Sequence, residues 1–301
     1  MMSKYHQPVL LRESVEELVQ NKNGVYVDVT FGGGGHSREI LKMLSAEGRL
    51  IAFDQDADAK QNLIEDQRFE FVESNFKYMK NFLKSLNRMP VDGVLADLGV
   101  SSHQFDEAER GFSFRYSAPL DMRMNTALNE TAADVLGNRS EQELNFIFRT
   151  YGEFKFSKAL VREVLKEREL GGVKTTDQLV DLVKRVVAER NLKGELPKVF
   201  QALRLEVNKE LEVLKDFLRQ SLQVLKSKGR LVVISYHSLE DRLVKNFMRS
   251  GNLEGRQEKD FYGNLLRPIK PIYSKAIVPT GQEISVNPRA RSAKMRVAEL
   301  V

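Results

Sequence analysis

Short apolar stretches alternate with amphipathic stretches along the first hundred residues of the chain. The apolar stretches predict strands, at 24–30, 49–54, 69–73 and 92–97. The amphipathic stretches between them predict helices, at about 36–45, 57–65 and 76–86. Apolar strands that alternate with helices are typical of a parallel sheet covered on both faces. In such sheets ligands bind at the carboxyl ends of the strands, where Asp28, Asp54 and Asp97 all fall.

The pattern changes between about 107 and 207, where helical stripes replace strands. Residues 140–143 form a predicted capping box, and Thr175 or Thr176 precedes a further apolar stripe at helical spacing. The sequence therefore predicts an all-helical domain at 107–207, which we expect to cover the pocket and to shape the substrate site.

The α/β pattern resumes after this stretch. It predicts one helix at about 209–226 and three strands at about 230–235, 271–277 and 292–300. Ser238 is predicted to cap a further helix, with Asp241 at the reciprocal position. The expected fold class is therefore α/β with a mostly parallel sheet, in which 1–106 and 208–301 form one domain and the helical domain is inserted between them.

A glycine-rich turn joins the first strand to the first helix, at 28–36. Glycines at such a turn allow positive φ and let a ligand approach the main chain, and the helix start offers N–H groups to an anion. Asp54 ends the second strand about 20 residues later, a spacing at which a carboxylate accepts hydrogen bonds from ribose hydroxyls. These features indicate a site for an adenosine-containing cofactor, although such a turn can also merely pack a helix against a sheet.

Two cofactors fit a turn of this kind. A nicotinamide site prefers Gly-x-Gly-x-x-Gly/Ala, and here Ser37 stands in the third place after Gly32 and Gly34. S-adenosylmethionine (SAM) has no pyrophosphate and needs close backbone approach, a partner for its amino-acid end and an acid for its ribose. Residues at the strand ends can meet these needs: Asp28, Gly34, Gly35 and Asp54. Asp28 can equally serve to orient the turn.

Composition narrows the function classes. The chain has 301 residues and no cysteine, which excludes disulfides, thiolate metal sites and a cysteine nucleophile. Four scattered histidines give no metal-ligand spacing, so no metal site is predicted. No apolar run is long enough to span a bilayer, and the N-terminus lacks the apolar core of a signal peptide. We therefore expect a cytoplasmic protein with no membrane partner.

Basic residues are concentrated near the C-terminus. The net charge of the chain is +5, but between 256 and 296 nine Lys and Arg residues stand against three Asp and Glu residues. Such a local excess is expected for a protein that binds a phosphate-rich partner, and it is equally compatible with a solvated basic tail.

Three segments carry polar or aromatic groups where strand ends open to a cleft: 97–102, 110–114 together with 119–124, and 235–242. His237 is expected to orient its loop rather than to act as a general base. Phe112 and Phe114 alternate at strand spacing, so they either pack in a core or stack on an unpaired base.

These segments resemble the 16S ribosomal RNA small subunit methyltransferase H family, also called the MraW family. The similarity runs along essentially the whole chain, through motifs at 8–11, 29–37, 97–102, 109–114, 119–124, 200–204, 238–242 and 287–292. The resemblance implies a class I SAM-dependent methyltransferase fold with an inserted helical domain. It also implies methyl transfer from SAM to N4 of a cytidine in 16S rRNA, in the decoding centre near the P site.

The resemblance also implies a set of SAM-binding residues. The family's SAM contacts fall on seven positions of this chain: Gly34, Gly35, His36, Asp54, Phe76, Asp97 and Gln104. We expect the glycines and His36 to approach the methionine end, Asp54 to hold the ribose, and Phe76 to pack on adenine. Asp97 and Gln104 are expected near the transfer site.

Asp97 is the candidate catalytic residue. Because the N4 lone pair of cytosine is delocalised, transfer requires an aligned methyl donor and a hydrogen-bond acceptor for the amine. We expect Asp97 or a nearby carbonyl to accept from N4–H, with help from Ser101 or Ser102. Related amino-methyltransferases carry Asp/Asn-Pro-Pro-Tyr/Phe here, and this chain lacks both prolines and the aromatic. The stacking residue is therefore sought elsewhere, among Phe112, Phe114 and Tyr236.

Other interpretations stay open at this stage. The rivals are a nicotinamide-dependent oxidoreductase, a non-catalytic RNA-binding protein, and the same chemistry on DNA or on a small amine. The expected partner is 16S rRNA, either free or within the 30S subunit, and four C-terminal residues are expected to contact its phosphates: Arg289, Arg291, Lys294 and Arg296. The sequence leaves the oligomeric state open, a homodimer included.

Overall fold

The computed structural model describes residues 8–301, apart from the side chain of Ser102. Nine strands are present in this part of the chain: β1 Val25–Asp28, β2 Arg49–Asp54, β3 Phe69–Glu73, β4 Val91–Asp97, β5 Leu225–Ser235, β6 Glu258–Lys259, β7 Leu265–Leu266, β8 Ile269–Pro271 and β9 Lys294–Leu300.

Twelve α-helices occur in the same described range: α1 Leu11–Leu18, α2 Gly35–Met43, α3 Met79–Ser85, α4 Ser102–Asp106, α5 Ala132–Asn138, α6 Glu141–Phe146, α7 Ser157–Glu169, α8 Thr176–Val186, α9 Glu189–Val207, α10 Glu210–Val224, α11 Ser238–Ser250 and α12 Gly281–Val286. Shorter 3₁₀ turns lie at Ala57–Asn62, Phe76–Tyr78, Ala108–Arg110 and Pro288–Ser292, and α6 continues into a π-helical turn, Ile147–Tyr151. None of the helices in residues 8–301 is long and apolar enough to cross a membrane.

The chain forms two compact units. The first contains Met1–Gly99 and Leu211–Val301, and the second contains Val100–Glu210. The sequence had placed the inserted domain at 107–207, so the observed unit starts seven residues earlier and ends three residues later. The expectation that this unit recognises substrate stays a prediction.

Seven strands of the first unit form one sheet in the order β3-β2-β1-β4-β5-β9-β8. The first five are parallel, β9 is antiparallel to β5, and β8 is antiparallel to β9. The chain runs outward from β1 through β2 to β3 and then returns to β4 on the other side of β1. This reversal makes the carboxyl ends of β1 and β4 the topological switch point, where ligands bind in sheets of this type.

Alternate residues of the central strands pack on opposite faces of the sheet. Val27 and Ile51 belong to one buried cluster, and their chain neighbours Tyr26 and Leu50 belong to another. The cluster on one face includes residues of α3, α10 and α11, and the other includes residues of α1 and α2. The continuous apolar runs in the sequence therefore reflect burial on both faces.

Several predicted elements have different limits in the structure. The helix predicted at 57–65 is a short 3₁₀ turn, and the one predicted at 76–86 begins as a 3₁₀ turn. The strand predicted at 271–277 is wrong over most of its length, because β8 ends at Pro271 and only an isolated bridge joins Ile277 to Met295. A proline has no N–H for a sheet ladder, which restricts it to edge positions such as this one.

The predicted cap of α11 is also wrong by one residue. The N-cap is His237, whose Nδ1 accepts from the Glu240 N–H at 3.4 Å, while the Glu240 carboxylate accepts from the Tyr236 N–H at 3.0 Å. Asp241, the expected reciprocal partner, instead bonds to Arg296. His237 therefore orients the start of the helix, as the sequence had indicated.

The second unit is a helical body with its own core. Its buried cluster contains residues of α5 to α9 together with the loop at 112–124, among them Phe148 and Leu160, which are fully buried. The predicted capping box at 140–143 is confirmed, with Ser140 bonded to Glu143, and of the two expected caps of α8 the structure has Thr175.

Candidate cofactor site

Asp28 ends β1 and fixes the glycine turn that follows it. Its carboxylate is fully buried, and it accepts from Ser37 Oγ at 2.7 Å and from the Thr30 N–H at 3.1 Å. Burial raises the pKa of Asp28, and these hydrogen bonds oppose the rise. Of the two roles that the sequence left open, the geometry favours orienting the turn, because Asp28 ties the strand end to the first turn of α2.

Gly34 and Gly35 are required for different reasons. Gly34 is the N-cap of α2 with a φ of 73°, in the left-handed region that favours glycine. Gly35 lies in the first turn, and a Cβ there would stand 2.2 Å from the Cγ atom of Pro8. The turn thus presents the N-terminus of α2, whose first N–H groups lack intrahelical partners and favour an anion such as a carboxylate.

Asp54 ends β2 beside this turn. One of its carboxylate oxygens accepts from the Gly32 N–H at 2.7 Å and the other from the Asp56 N–H at 2.9 Å. Because a carboxylate oxygen can accept two hydrogen bonds, each oxygen retains capacity for one hydroxyl of a vicinal diol. Burial raises the pKa of Asp54 to about 6, against the effect of the two N–H groups. This geometry fits the predicted ribose acid.

Asp97 ends β4 next to His36 and Tyr236. The Tyr236 hydroxyl donates to Asp97 Oδ1 at 2.8 Å, and His36 Nδ1 lies 3.8 Å from Asp97 Oδ2. Burial raises the pKa of Asp97 to about 6, while the His36 charge and the Tyr236 hydrogen bond lower it.

The tautomer of His36 follows from its second neighbour. His36 Nε2 lies 3.3 Å from the carbonyl oxygen of Val9, which can only accept, so Nε2 carries the proton. In the neutral ring, Nδ1 then turns a lone pair toward the Asp97 carboxylate. Burial lowers the pKa of His36, although the Asp97 charge opposes this. Two acceptors that face each other create a site that a cationic group stabilises.

Three further polar residues lie at the strand ends and were not predicted as site residues: Thr30, Gln55 and Asn75. Thr30 Oγ1 accepts from the Asp97 N–H at 2.7 Å, which joins the ends of β1 and β4. Asn75 Nδ2 donates to Gln55 Oε1 at 2.6 Å, which joins the ends of β2 and β3. The position of Thr30 two residues after Asp28 was the one local signal that could have indicated its role.

Phe76 follows β3 and the Asn75 pair, where the sequence had placed a side chain against adenine. It is half-buried, and its ring packs edge-on against Phe217 at a centroid distance of 5.5 Å. Gln104 belongs to the second unit, where its side chain and that of Ser101 form the capping box of α4. The contacts of all seven predicted SAM residues with the cofactor stay predictions.

Other predicted residues have structural partners. Phe112 is buried in the core of the second unit and is unsuited to stacking on a base, whereas Phe114 is partly exposed and packs edge-on against Phe200. Arg296 Nε bonds to Asp241 Oδ1 at 2.6 Å with both side chains largely buried, so Arg296 has a partner within the protein, and its contact with phosphate stays a prediction. Ser101 caps α4, and the side chain of Ser102 lies outside the described part of the chain.

The sheet has five parallel strands and an antiparallel neighbour, β9. A glycine turn follows β1, and the carboxylates of Asp54 and Asp97 stand at the ends of β2 and β4. Together these features define a class I SAM-dependent methyltransferase. The pocket fits SAM because it combines a helix N-terminus for a carboxylate, an acid for a diol and an anionic end for a cation. Residues 3–301 match the sequence profile of the MraW methylase family, and the chain belongs to that family.

Curated relatives match the chain over nearly its full length. A protein of Parabacteroides distasonis is 54% identical over 300 residues, which cover 99% of this chain and 98% of the relative. A protein of Bacteroides thetaiotaomicron is 52% identical, covering 98% and 97%, and one of Flavobacterium johnsoniae is 51% identical, covering 99% and 98%. All three relatives are named ribosomal RNA small subunit methyltransferase H.

Proposed function

We propose that the protein methylates small-subunit ribosomal RNA with SAM as the methyl donor, at N4 of one cytidine in the decoding centre near the P site. The names of the relatives support the RNA class, and the similarity of the motifs to the family supports the position. The observation that carries the chemistry is the Asp97 carboxylate, held at the switch point by the Tyr236 hydroxyl and lying beside His36. Ribosome assembly gives this reaction a cytoplasmic setting.

Bound SAM supplies a methyl group on a positively charged sulfur. Asp54 is positioned to accept hydrogen bonds from the ribose hydroxyls, and the N-terminus of α2 to receive the carboxylate of the methionine end. Phe76 is positioned to pack on the adenine. These contacts fix the direction of the methyl group, which contributes to transfer by orientation.

Asp97 accepts the N4–H of the target cytosine in this proposal. Asp97 would direct the nitrogen toward the methyl group that SAM would supply, so that the methyl would pass to N4 and a neutral thioether would be released. The N4 proton then leaves toward Asp97 or water. With a pKa of about 6 in the free protein, Asp97 is mostly ionised at neutral pH and can accept this hydrogen bond.

Transfer of labelled methyl from SAM to 30S particles from a strain lacking this activity tests the proposal. Free 16S rRNA is assayed in parallel, because either form can be the substrate. We expect N4-methylated cytidine at one decoding-centre position, identified by nucleoside mass spectrometry. SAM binding without transfer to either RNA would disprove the substrate assignment and leave the cofactor site intact.

Asp97→Asn tests the catalytic role in the same assay. With saturating SAM and RNA, we expect kcat to fall on the order of 100-fold, in the range typical of a lost acid–base or charge-stabilising group. Asp92→Asn is the matched control, because Asp92 lies near the opposite end of β4 and bonds the Val25 N–H. Near-normal turnover of Asp97→Asn would show that the charge of Asp97 is not needed for transfer.

A further inference from the structure

A small hairpin follows α11 in the first unit. It consists of β6 and β7, paired through Glu258 with Leu266 and Lys259 with Leu265. We refer to residues 258–266 as the aromatic hairpin. The Asp260 carboxylate shapes its tip by accepting from the Tyr262 N–H at 2.9 Å and from the Asn264 N–H at 2.8 Å.

Two aromatic side chains extend from this tip. Phe261 is 99% exposed and Tyr262 is 86% exposed, which makes them the most exposed large hydrophobic side chains among the described residues. Their rings stand edge to face, with centroids 5.8 Å apart. Because the Asp260 bonds fix the turn, these rings are displayed to solvent by an ordered backbone. Adjacent aromatic rings at full exposure are characteristic of an interaction site.

The base of the hairpin is attached to the end of α11. Asn252 Nδ2 donates to the carbonyl oxygen of Arg256 at 2.7 Å, and the Arg256 N–H donates to Asn252 Oδ1 at 3.0 Å. Arg267 Nη1 donates to the carbonyl oxygen of Arg249 at 3.2 Å. The hairpin therefore has a fixed position relative to the helix.

α11 itself connects the hairpin to the candidate active site. It starts two residues after Tyr236, the partner of Asp97, and its 13 residues span about 20 Å. Its exposed face carries three basic side chains at helical spacing: Arg242, Lys245 and Arg249. Both acids of this helix are occupied elsewhere, because Glu240 is buried and Asp241 is paired with Arg296.

We propose that the aromatic hairpin and the basic face of α11 form an RNA-binding surface, on which Phe261 and Tyr262 stack against unpaired bases of the substrate RNA. This inference rests on the proposed function and adds a second contact at the end of α11 that lies away from Tyr236. Aromatic rings beside a row of cations match single-stranded RNA, whose bases stack and whose phosphates pair with the cations. The exposed basic side chains of α11, the helix to which the hairpin is attached, favour RNA over an apolar protein partner.

The double variant Phe261→Ala/Tyr262→Ala tests the stacking role. We expect its KM for 30S particles and its Kd for a single-stranded RNA oligonucleotide to rise about 10- to 100-fold. Its kcat at saturating RNA and its SAM affinity should equal those of the wild type, because neither ring belongs to the cofactor site. Tyr273→Ala, which removes a 44% exposed ring outside the hairpin, is the matched control.

Two further variants separate stacking from apolar contact and from charge. Phe261→Leu/Tyr262→Leu keeps an apolar tip without rings and should lose RNA affinity as the alanine variant does. Arg242→Gln/Lys245→Gln/Arg249→Gln should reduce the slope of log Kd against log salt by about 2, whereas the aromatic variants should leave that slope unchanged. Wild-type affinity in both aromatic variants would overturn the proposal.

A direct readout is available because the chain contains no tryptophan. Phe261→Trp creates a single tryptophan at the tip, whose emission can be excited apart from that of the tyrosines, and we expect RNA to quench it. Unchanged emission while RNA binds would overturn the proposal. Self-association without RNA, seen as a concentration-dependent emission shift with dimers in sedimentation, would assign the tip to a second copy of the chain instead.

The two proposals fail in different ways. Quenching by RNA without methyl transfer would leave the hairpin proposal standing and remove the proposed function. Methyl transfer with an unchanged KM in Phe261→Ala/Tyr262→Ala would leave the proposed function standing and remove the hairpin proposal.

Discussion

The Asp97 carboxylate lies among groups that lower its pKa and groups that raise it. The Tyr236 hydroxyl favours its charged form, as does His36 when it is protonated, whereas burial and the nearby carboxylates Asp28 and Glu240 disfavour it. Because burial dominates, the pKa rises from an ordinary value near 3.8 to about 6. A carboxylate with a raised pKa stabilises the folded state below its unfolded-state pKa, and this contribution is lost as the pH rises through the folded-state value.

Asp97→Asn should therefore stabilise the free protein at neutral pH while it lowers kcat. The gain in unfolding free energy relative to wild type should be small at pH 4, should grow between pH 4 and 6, and should reach about 2–3 kcal/mol at pH 7. Urea unfolding across this pH range measures it. Saturating SAM should reduce the difference, because its positive charge favours ionised Asp97. If the unfolding free energies of the wild type and Asp97→Asn differed by the same amount at every pH, this account would be contradicted.

Two glycine-to-alanine substitutions distinguish a glycine that is required for its positive φ from one that only makes the chain more flexible. Gly34→Ala should destabilise the protein by about 1–2 kcal/mol, because φ is 73° at this position. Gly137→Ala is the matched control, since Gly137 lies in α5 and a Cβ there meets no atom within 4 Å. That variant should be stabilised by up to about 1 kcal/mol. Urea unfolding of both variants checks the opposite signs, and SAM titration should show weaker binding only for Gly34→Ala.

At the scale of elements, an ion pair fixes α11 against β9. Asp241 and Arg296 have side chains that are 14% and 13% exposed, and Arg296 Nε lies 2.6 Å from Asp241 Oδ1. Burial raises the pKa of Asp241, but the hydrogen bond and charge of Arg296 and the charge of Lys294 outweigh this, so the pKa is lowered overall. The pair positions the helix that begins beside Tyr236.

Breaking one side of this pair should cost more than replacing both sides. Asp241→Ala leaves Arg296 partly buried without its partner, and we expect a loss of about 2–3 kcal/mol in unfolding free energy. Asp241→Ala/Arg296→Met should recover part of that loss. A double-mutant cycle by urea unfolding measures the coupling, and additive effects would show that the pair contributes no net interaction.

At the scale of the whole molecule, the helical unit is expected to fold on its own. The 25 buried residues of its main core, from Phe112 to Val207, all lie within Val100–Glu210. A segment with its own hydrophobic core and an ordinary domain size meets the requirements for independent folding.

A fragment containing residues 100–210 should therefore show helical circular dichroism and a cooperative urea transition. Phe148→Ala, which removes a fully buried ring of this core, is the matched control. It should lower the unfolding free energy of the fragment by about 3–5 kcal/mol, or abolish the transition. A fragment that shows no cooperative transition would mean that the core needs the rest of the chain.

Local signals determined much of the fold and part of the site. Alternating apolar and amphipathic stretches depend on neighbours within a few residues, so they identified β1 to β4 and the parallel sheet. The glycine turn and the spacing to Asp54 are also local, and they indicated the cofactor pocket. The cap at Ser140 follows the same principle, because its partner Glu143 is three residues away. Where such signals were weaker, as at 271–277, the predicted strand was wrong.

The tertiary structure alone decided which side chains meet. Tyr236 reaches Asp97 across 139 residues of sequence, and Thr30 bonds to the Asp97 N–H across 67 residues. The sequence predicts a phosphate contact for Arg296, but only the register of β9 shows that its side chain pairs with Asp241. Residue types and spacings therefore indicated a pocket for an adenosine-containing cofactor. The acceptor groups around Asp97 depend on strand order instead, because that order brings distant segments within hydrogen-bonding distance.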